Sequence, residues 1–348
     1  MATNFISSNS ISTTLRISAS KSQVAISKAT KEATTGRLAD VGGSLGALTG
    51  RDVTLRAELL DMEKIVDTNA LVSARLDVTQ ERVSQLIETA QSFQKDLLAA
   101  RNSANGGVII AQPAASNLQS LLTTLNVSMD GQYLFAGINT AQQPMTPYQT
   151  GSASKTAIDA AFTAAFGFPP GDVAAVNITP AAMNNFLDNA FATEFDDPAW
   201  GTNWSSASDQ VMRSRISTTQ TVDSSASAND KAFRNLAMAY TMLSGLGLET
   251  LNQSAFQAVT DKALLLVGGS VSDLASVGAR LGTAQEQTTN ATSRLKVQTD
   301  IVNKQINAME VVDPEEASVR VNSLKNQLEM SHALTAQIQN LSILNYLR

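Results

Sequence analysis

Apolar residues recur with helical spacing over 45–130 and again over 231–348, and the pattern changes between these stretches. Counted in sevens from Leu55, one series runs Leu55, Met62, Asn69, Leu76, Val83, Ala90 and Leu97. The interleaved series runs Ile65, Val72, Thr79, Leu86, Phe93 and Ala100. Only Asn69 and Thr79 break this seam, and Glu63, Lys64, Arg75, Glu81, Arg82, Glu88 and Lys95 fall outside it. Such heptads predict a helix packed lengthwise on partners, roughly 70 Å long from the α-helical rise. Val267, Leu274, Leu281, Thr288, Leu295, Val302 and Met309 predict a matching helix on the return. Two such rods suit antiparallel packing. Leu118, Leu121, Leu122, Leu125 and Met129 predict a shorter helix. It should stop at the Asp130-Gly131 turn, with Tyr133-Leu134-Phe135 read as a strand.

The ends follow a different pattern. Ile11 and Leu15 share a helical face with Ser18, Ser22, Ala25 and Ala29, a stripe that buries little, so this helix alone should be marginal. Pro314 followed by Glu315 and Glu316 marks a helix start, where carboxylates favour the positive end of the dipole. Beyond it, Val321, Leu324, Leu328, Leu334, Ile338, Leu341 and Leu344 form a stripe richer than residues 1–40 can cover. The two ends can pair, and the surplus predicts contact with other copies or other proteins.

Aromatic and proline residues bound the insert. Six of the eight prolines, both tryptophans and six of the eleven phenylalanines lie between 141 and 230. The expected fold is mainly α: a long antiparallel coiled-coil bundle of the N- and C-terminal regions, carrying an inserted β-containing domain. Its parts are an arm and hinge at 1–44, pairing with a terminal helix at 313–348. Rod halves follow at 45–140 and 228–312, around a β-rich outer insert at 141–227.

Composition removes much chemistry. The absence of cysteine excludes disulfides, thiolate metal sites and thiol nucleophiles, and a single histidine, His332, excludes paired-histidine metal motifs. His332 itself reads as solvent-facing or interfacial. A formal charge of −6, with only Lys155, Arg213 and Arg215 basic within the insert, argues against nucleic-acid binding. Asp196-Asp197 lacks the spacing of a calcium loop, and the Gly42-Gly43 and Gly46 cluster lacks phosphate-loop order and reads as a hinge. The sequons at Asn126, Asn177 and Asn203 are expected by chance in so Asn-, Ser- and Thr-rich a chain. No secretory signal or run of 18 apolar residues is present, so membrane insertion is not expected. No catalytic, cofactor or metal site is expected. Heptads alone would also suit a coiled-coil signalling hairpin, which would require a membrane span and a tip without an aromatic insert.

Three segments carry a resemblance. Asp130-Gly131-Gln132-Tyr133-Leu134-Phe135-Ala136-Gly137, with Thr140 and Pro144 beyond, is similar to a G-x-Y-L-F-A-G-x-x-T run. Ser227-Ala228-Asn229-Asp230-Lys231-Ala232-Phe233 is similar to an Ala-Asn-Asp-x-Ala-Phe helix entry. Leu341-Ser342-Ile343-Leu344-Asn345-Tyr346-Leu347-Arg348 looks like an L-S-x-L-x-Y-L-R ending. Together they resemble the flagellin family, the last for the family at large and the first for its hook-associated members. The resemblance implies an extracellular structural protein of the bacterial flagellum, exported unfolded and forming the junction between hook and filament. The alternative is a filament flagellin. It further implies a ring of copies, with the first hook-associated protein, flagellin and an export chaperone as partners. It marks Gly131, Tyr133, Leu134, Phe135, Ala136, Gly137, Asn229, Asp230 and Phe233 as family positions. The terminal stripe, Ile11 and Leu15 with Val321 to Leu344, becomes the assembly face.

Overall fold

The computed structural model of the chain describes residues 8–340, in two compact units: residues 64–295, and the described parts of 1–63 with 296–348. In chain order the elements begin with α1 (Ser8–Thr35), α2 (Val41–Leu45), α3 (Thr49–Ala100) and α4 (Gly106–Leu125). The hairpin β1 (Ser128–Met129) and β2 (Gln132–Tyr133) follows. The helix expected to run through Met129 therefore ends at Leu125, and of the expected strand Tyr133-Leu134-Phe135 only Tyr133 lies in a strand, because the tight Asp130-Gly131 turn draws Met129 into the hairpin. Next come α5 (Ala153–Phe166), α6 (Pro180–Phe186) and α7 (Ala199–Asn203), then the hairpin β3 (Arg213–Arg215) and β4 (Thr221–Asp223). The chain returns through α8 (Lys231–Gly245), α9 (Gln253–Glu310) and α10 (Pro314–Asn340).

Within residues 64–295 the seam is as its spacing predicts. Leu76, Val83, Ala90 and Leu97 are buried on α3, as are Val267, Leu274 and Leu281 on α9. Partners pair in reverse order: Arg101 with Asp261, Asp77 with Gln285, and Asn69 Nδ2 donating to Thr292 Oγ1 at 3.0 Å. The two helices are therefore antiparallel. Asn69, Thr79 and Thr288 in the seam each donate a hydrogen bond, as burial favours, although Asn69 Oδ1 and the buried Ser270 hydroxyl meet no partner among the described residues. Asn69 Nδ2 also donates to the Ile216 carbonyl at 2.9 Å, and Thr79 and Thr288 hydroxyls donate to carbonyls one turn back.

The returning rod is interrupted. Helix α8 packs on α4 with most of its residues buried, and α9 begins only after a turn through Gly247 at φ +66°. A Cβ on Gly247 would lie 2.3 Å from the Gly171 nitrogen, so the turn also permits close approach of the insert. By length and composition alone α9 could cross a membrane, with a window of mean hydropathy 1.3. Its buried Val267, Leu274, Leu281 and Thr288 instead follow the spacing of a bundle helix.

The insert differs most from expectation. It contains the β3–β4 hairpin, but the expectation of a β-rich module fails, because helical turns dominate residues 153–203. The local sequence explains why. Ser152 and Thr179 accept hydrogen bonds as N-caps, Pro180 stands at the first turn of α6, and Gly167 ends α5 in the left-handed conformation. Nor is the insert separate. Phe162, Phe186, Phe191, Phe195, Trp200 and Trp204 join one continuous core with residues of α3, α4, α8 and α9. The two compact units divide inside α3 and α9, at 63/64 and 295/296.

In the other unit α1 packs on α10, and Ala29, Glu32, Ala317 and Val321 are buried near the point where the two helices meet. The Gly42-Gly43 segment predicted as a hinge is the short helix α2, capped by Asp40, whose Oδ1 accepts from Gly43 N at 3.0 Å.

Candidate assembly site

Both internal family segments fold into one interlocked structure. Asp130 at φ +51° and Gly131 at φ +75° make the two-residue turn between Met129 and Gln132, a conformation suited to these residue types. Arg75 donates to Gln132 Oε1 at 3.0 Å and to the Tyr133 carbonyl at 2.9 Å, holding the hairpin on α3. Leu134, Phe135 and Ala136 are wholly buried, and Gly137 turns the chain at φ +61°. The second segment closes on the first: Ala228 N donates to the Phe135 carbonyl at 2.7 Å, and Phe233 meets Phe135 edge-on at 5.5 Å.

Asn229 uses its whole amide. Its Oδ1 accepts from Trp200 Nε1 at 2.8 Å and Ser205 Oγ at 2.7 Å, while Nδ2 donates to the Ala207 carbonyl at 2.9 Å and Asp209 Oδ1 at 2.8 Å. Asp230 caps α8 through Ala232 N and accepts from Arg280 Nη2 at 2.7 Å. Arg234 completes the knot over the Trp200 ring at 5.4 Å and bonds Asp197 at 2.9 Å. In this structure these residues are scaffolding. The sequence marked Asn229 and Asp230, but Arg75, Trp200 and Arg234, which hold the same structure, carried no local signal because their partners are distant in the chain.

An open groove of about 820 Å³ lies between the β3–β4 hairpin and α9. Its charged side chains are paired, Arg213 with Asp223 and Arg280 with Asp230, so the groove presents no nucleophile with an adjacent base. Among the described residues no group of three or more acidic or histidine side chains could hold a metal. Exposed His332 belongs to no such cluster. Two buried phenols, Tyr148 and Tyr240, meet no hydrogen-bond partner among the described residues. Burial holds both well above the ordinary phenol range, with Asp159 adding to the effect at Tyr148. Since folding favours their neutral form, stability should be intact below the ordinary tyrosine value of about 10 and fall as pH rises above it. In an absorbance titration, Tyr148 and Tyr240 are expected to ionise only together with alkaline unfolding. Ionisation of all four tyrosines in a single step near pH 10, with helicity intact, would contradict this.

The predicted terminal stripe is partly covered. Val321 is buried, and Leu15, Leu324 and Leu328 are half-buried, whereas Leu334 is 52% exposed. The side chains of Ile11 and Ile338, and the whole of Leu341 and Leu344, lie outside the described residues. Single-face reasoning missed Ile17, Val24, Val319 and Met330, each more than half exposed on other faces of α1 and α10. The helix pair thus displays apolar side chains in several directions. That arrangement can bind neighbouring helices and offers nothing for bond-making chemistry.

The comparisons with known proteins agree with this architecture. The N-terminal helical region of bacterial flagellin matches residues 6–140, and its C-terminal helical region matches residues 264–347. No curated protein matches the chain. A solved structure described as that of a flagellar hook-associated protein from Vibrio parahaemolyticus shares the fold. It matches with a TM-score of 0.51 at 10% identity, over 76% of this chain and 97% of that one. The two family regions together span more than half of the chain, which therefore belongs to the flagellin family as a non-enzymatic structural protein of the bacterial flagellum.

Proposed function

We propose that this chain is the subunit joining hook to filament, the part played by the third hook-associated protein. The observation that carries this reading is the Gly131–Gly137 turn, worded Gly-Gln-Tyr-Leu-Phe-Ala-Gly, buried against Asn229–Phe233. Its wording resembles hook-associated members rather than filament flagellins, and the likeness to the Vibrio parahaemolyticus structure supports the same reading. Copies would form a short ring through α1 and α10, above the first hook-associated protein and below flagellin. Weakly buried terminal helices and the absence of cysteine suit export as an open chain assisted by a chaperone. On this reading, the seam is internal and the terminal faces bind neighbours.

The test is addition of purified protein to hook stubs capped by the first hook-associated protein. Limited addition that then permits flagellin growth is expected. Open-ended self-polymerisation would establish the filament alternative instead. Leu334→Asp, at a side chain already half exposed, should leave helicity and melting unchanged while abolishing addition to the stubs. Normal addition by that variant would remove the terminal stripe from the assembly face.

A further inference from the structure

The joint between the terminal helix pair and the adjoining ends of α3 and α9 is built from charge. Leu38 N donates to the Glu310 carbonyl and Val312 N to the Gly36 carbonyl, both at 2.9 Å, around an antiparallel bridge between Arg37 and Val311. Behind this crossing lie two carboxylates, Asp52 and Glu310, each 2% exposed. Arg56 bonds both: its Nε donates to Asp52 Oδ2 at 3.1 Å and its Nη2 to Glu310 Oε1. Arg37 donates to Asn307 Oδ1 at 2.9 Å and brings Nη1 within 3.7 Å of Glu310. On the α1 side buried Glu32 accepts from Ala39 N and from Arg320 Nη1, each at 3.2 Å.

The ions come from five segments: Glu32 from α1, Arg37 from the crossing loop, Asp52 and Arg56 from α3, Glu310 from α9, and Arg320 from α10. A buried carboxylate without its guanidinium is strongly destabilising, more than the intact pair is stabilising. The margin is narrow, since Asp52 Oδ1 is already buried without a partner. The apolar side chains buried beside the crossing on α1 and α10 are few and small, chiefly Ala29, Ala317 and Val321.

We propose that this crossing is a charge-locked elbow. The inner halves of α1 and α10 order only when the crossing loop and the ends of α3 and α9 close together and neutralise Glu32, Asp52 and Glu310. The elbow thereby makes ordering of the terminal pair an all-or-none event. Such a device suits a segment that must be fully open or fully docked, and it holds whichever flagellar position the chain occupies.

The test is amide hydrogen exchange on the full chain, read by mass spectrometry. In Arg56→Gln, amides of 28–35 and 314–321 are expected to exchange at least roughly tenfold faster, because Asp52 and Glu310 lose their shared cation. Those of 72–97 and 267–291 should be unchanged. A triple variant adding Asp52→Asn and Glu310→Gln should recover most of the lost protection, since no uncompensated charge remains. The proposal is overturned if Arg56→Gln exchanges like the wild type at the elbow, if the 72–97 and 267–291 amides accelerate equally, or if the triple variant is no better protected than the single.

Discussion

Gly137→Ala is expected to cost roughly 3 kcal/mol or more of stability, a large share of the roughly 5–15 kcal/mol available to a domain. Two effects add. The backbone sits at φ +61°, which costs an L-residue about 1–2 kcal/mol. A Cβ there would also lie 2.4 Å from both the Ser208 and the Gln210 carbonyl oxygens, atoms of backbone that cannot swing aside. Moving that strand of chain would break the bonds from Ile138 N to the Gln210 carbonyl and from Ser208 N to the Ala136 carbonyl, each 3.0 Å. Gly131→Ala is the control, because its φ is +75° with nothing within 4 Å of the added carbon. It should cost only about 1 kcal/mol. Urea unfolding followed by fluorescence of Trp200 and Trp204 separates the two. Equal midpoints for the two variants would show that the close approach at Gly137 has no energetic weight.

Phe233→Ala should be comparably severe, at about 3–5 kcal/mol, since it empties a fully buried aromatic site where the two family segments meet. Phe233→Leu, which retains most of the volume, should cost well under half as much. The edge-on pair with Phe135, at 5.5 Å and 80° between planes, also predicts non-additivity. A double-mutant cycle with Phe135→Ala should return a coupling of about 0.5–1.5 kcal/mol. Strict additivity would mean the rings are neighbours without interaction. Both variants act on scaffolding, so assembly in them should fail in proportion to lost folding, unlike Leu334→Asp, which should fail while folded.

Helix periods and turns were legible because their causes are local. Of the heptads counted from Leu55, the positions from Met62 to Ala100 are buried while Leu55 is half-buried, as are Val302 and Met309 on the return. Asp130-Gly131 makes the turn its residues favour, and Pro314 opens α10 with Asp313 as cap. Even the interruptions at Asn69 and Thr79 stayed in the seam, because each found a carbonyl to bond. In the insert, aromatic and proline content is a weak guide to strand, and helical turns dominate residues 153–203. Ser152 and Thr179 as N-caps and Gly167 as the left-handed end of α5 favour helical turns there instead.

The candidate assembly face was legible only in part. One helical face of α10 was counted from sequence, but exposure of Val319 and Met330 depends on where α1 lies, and no periodicity carries that information. By itself, the amino-acid order determined which residues turn inward along the middle of α3 and α9 and which side-chain chemistries the chain lacks, since these follow from backbone geometry and side-chain inventory. Only the tertiary structure decided that the insert and the α3–α9 bundle share one core, that Asn229 links Trp200 to the second family segment, and that five separate segments bring their charges to one elbow. Those outcomes rest on contacts between residues tens to hundreds of positions apart, whose partners become definite only when the chain has closed on itself.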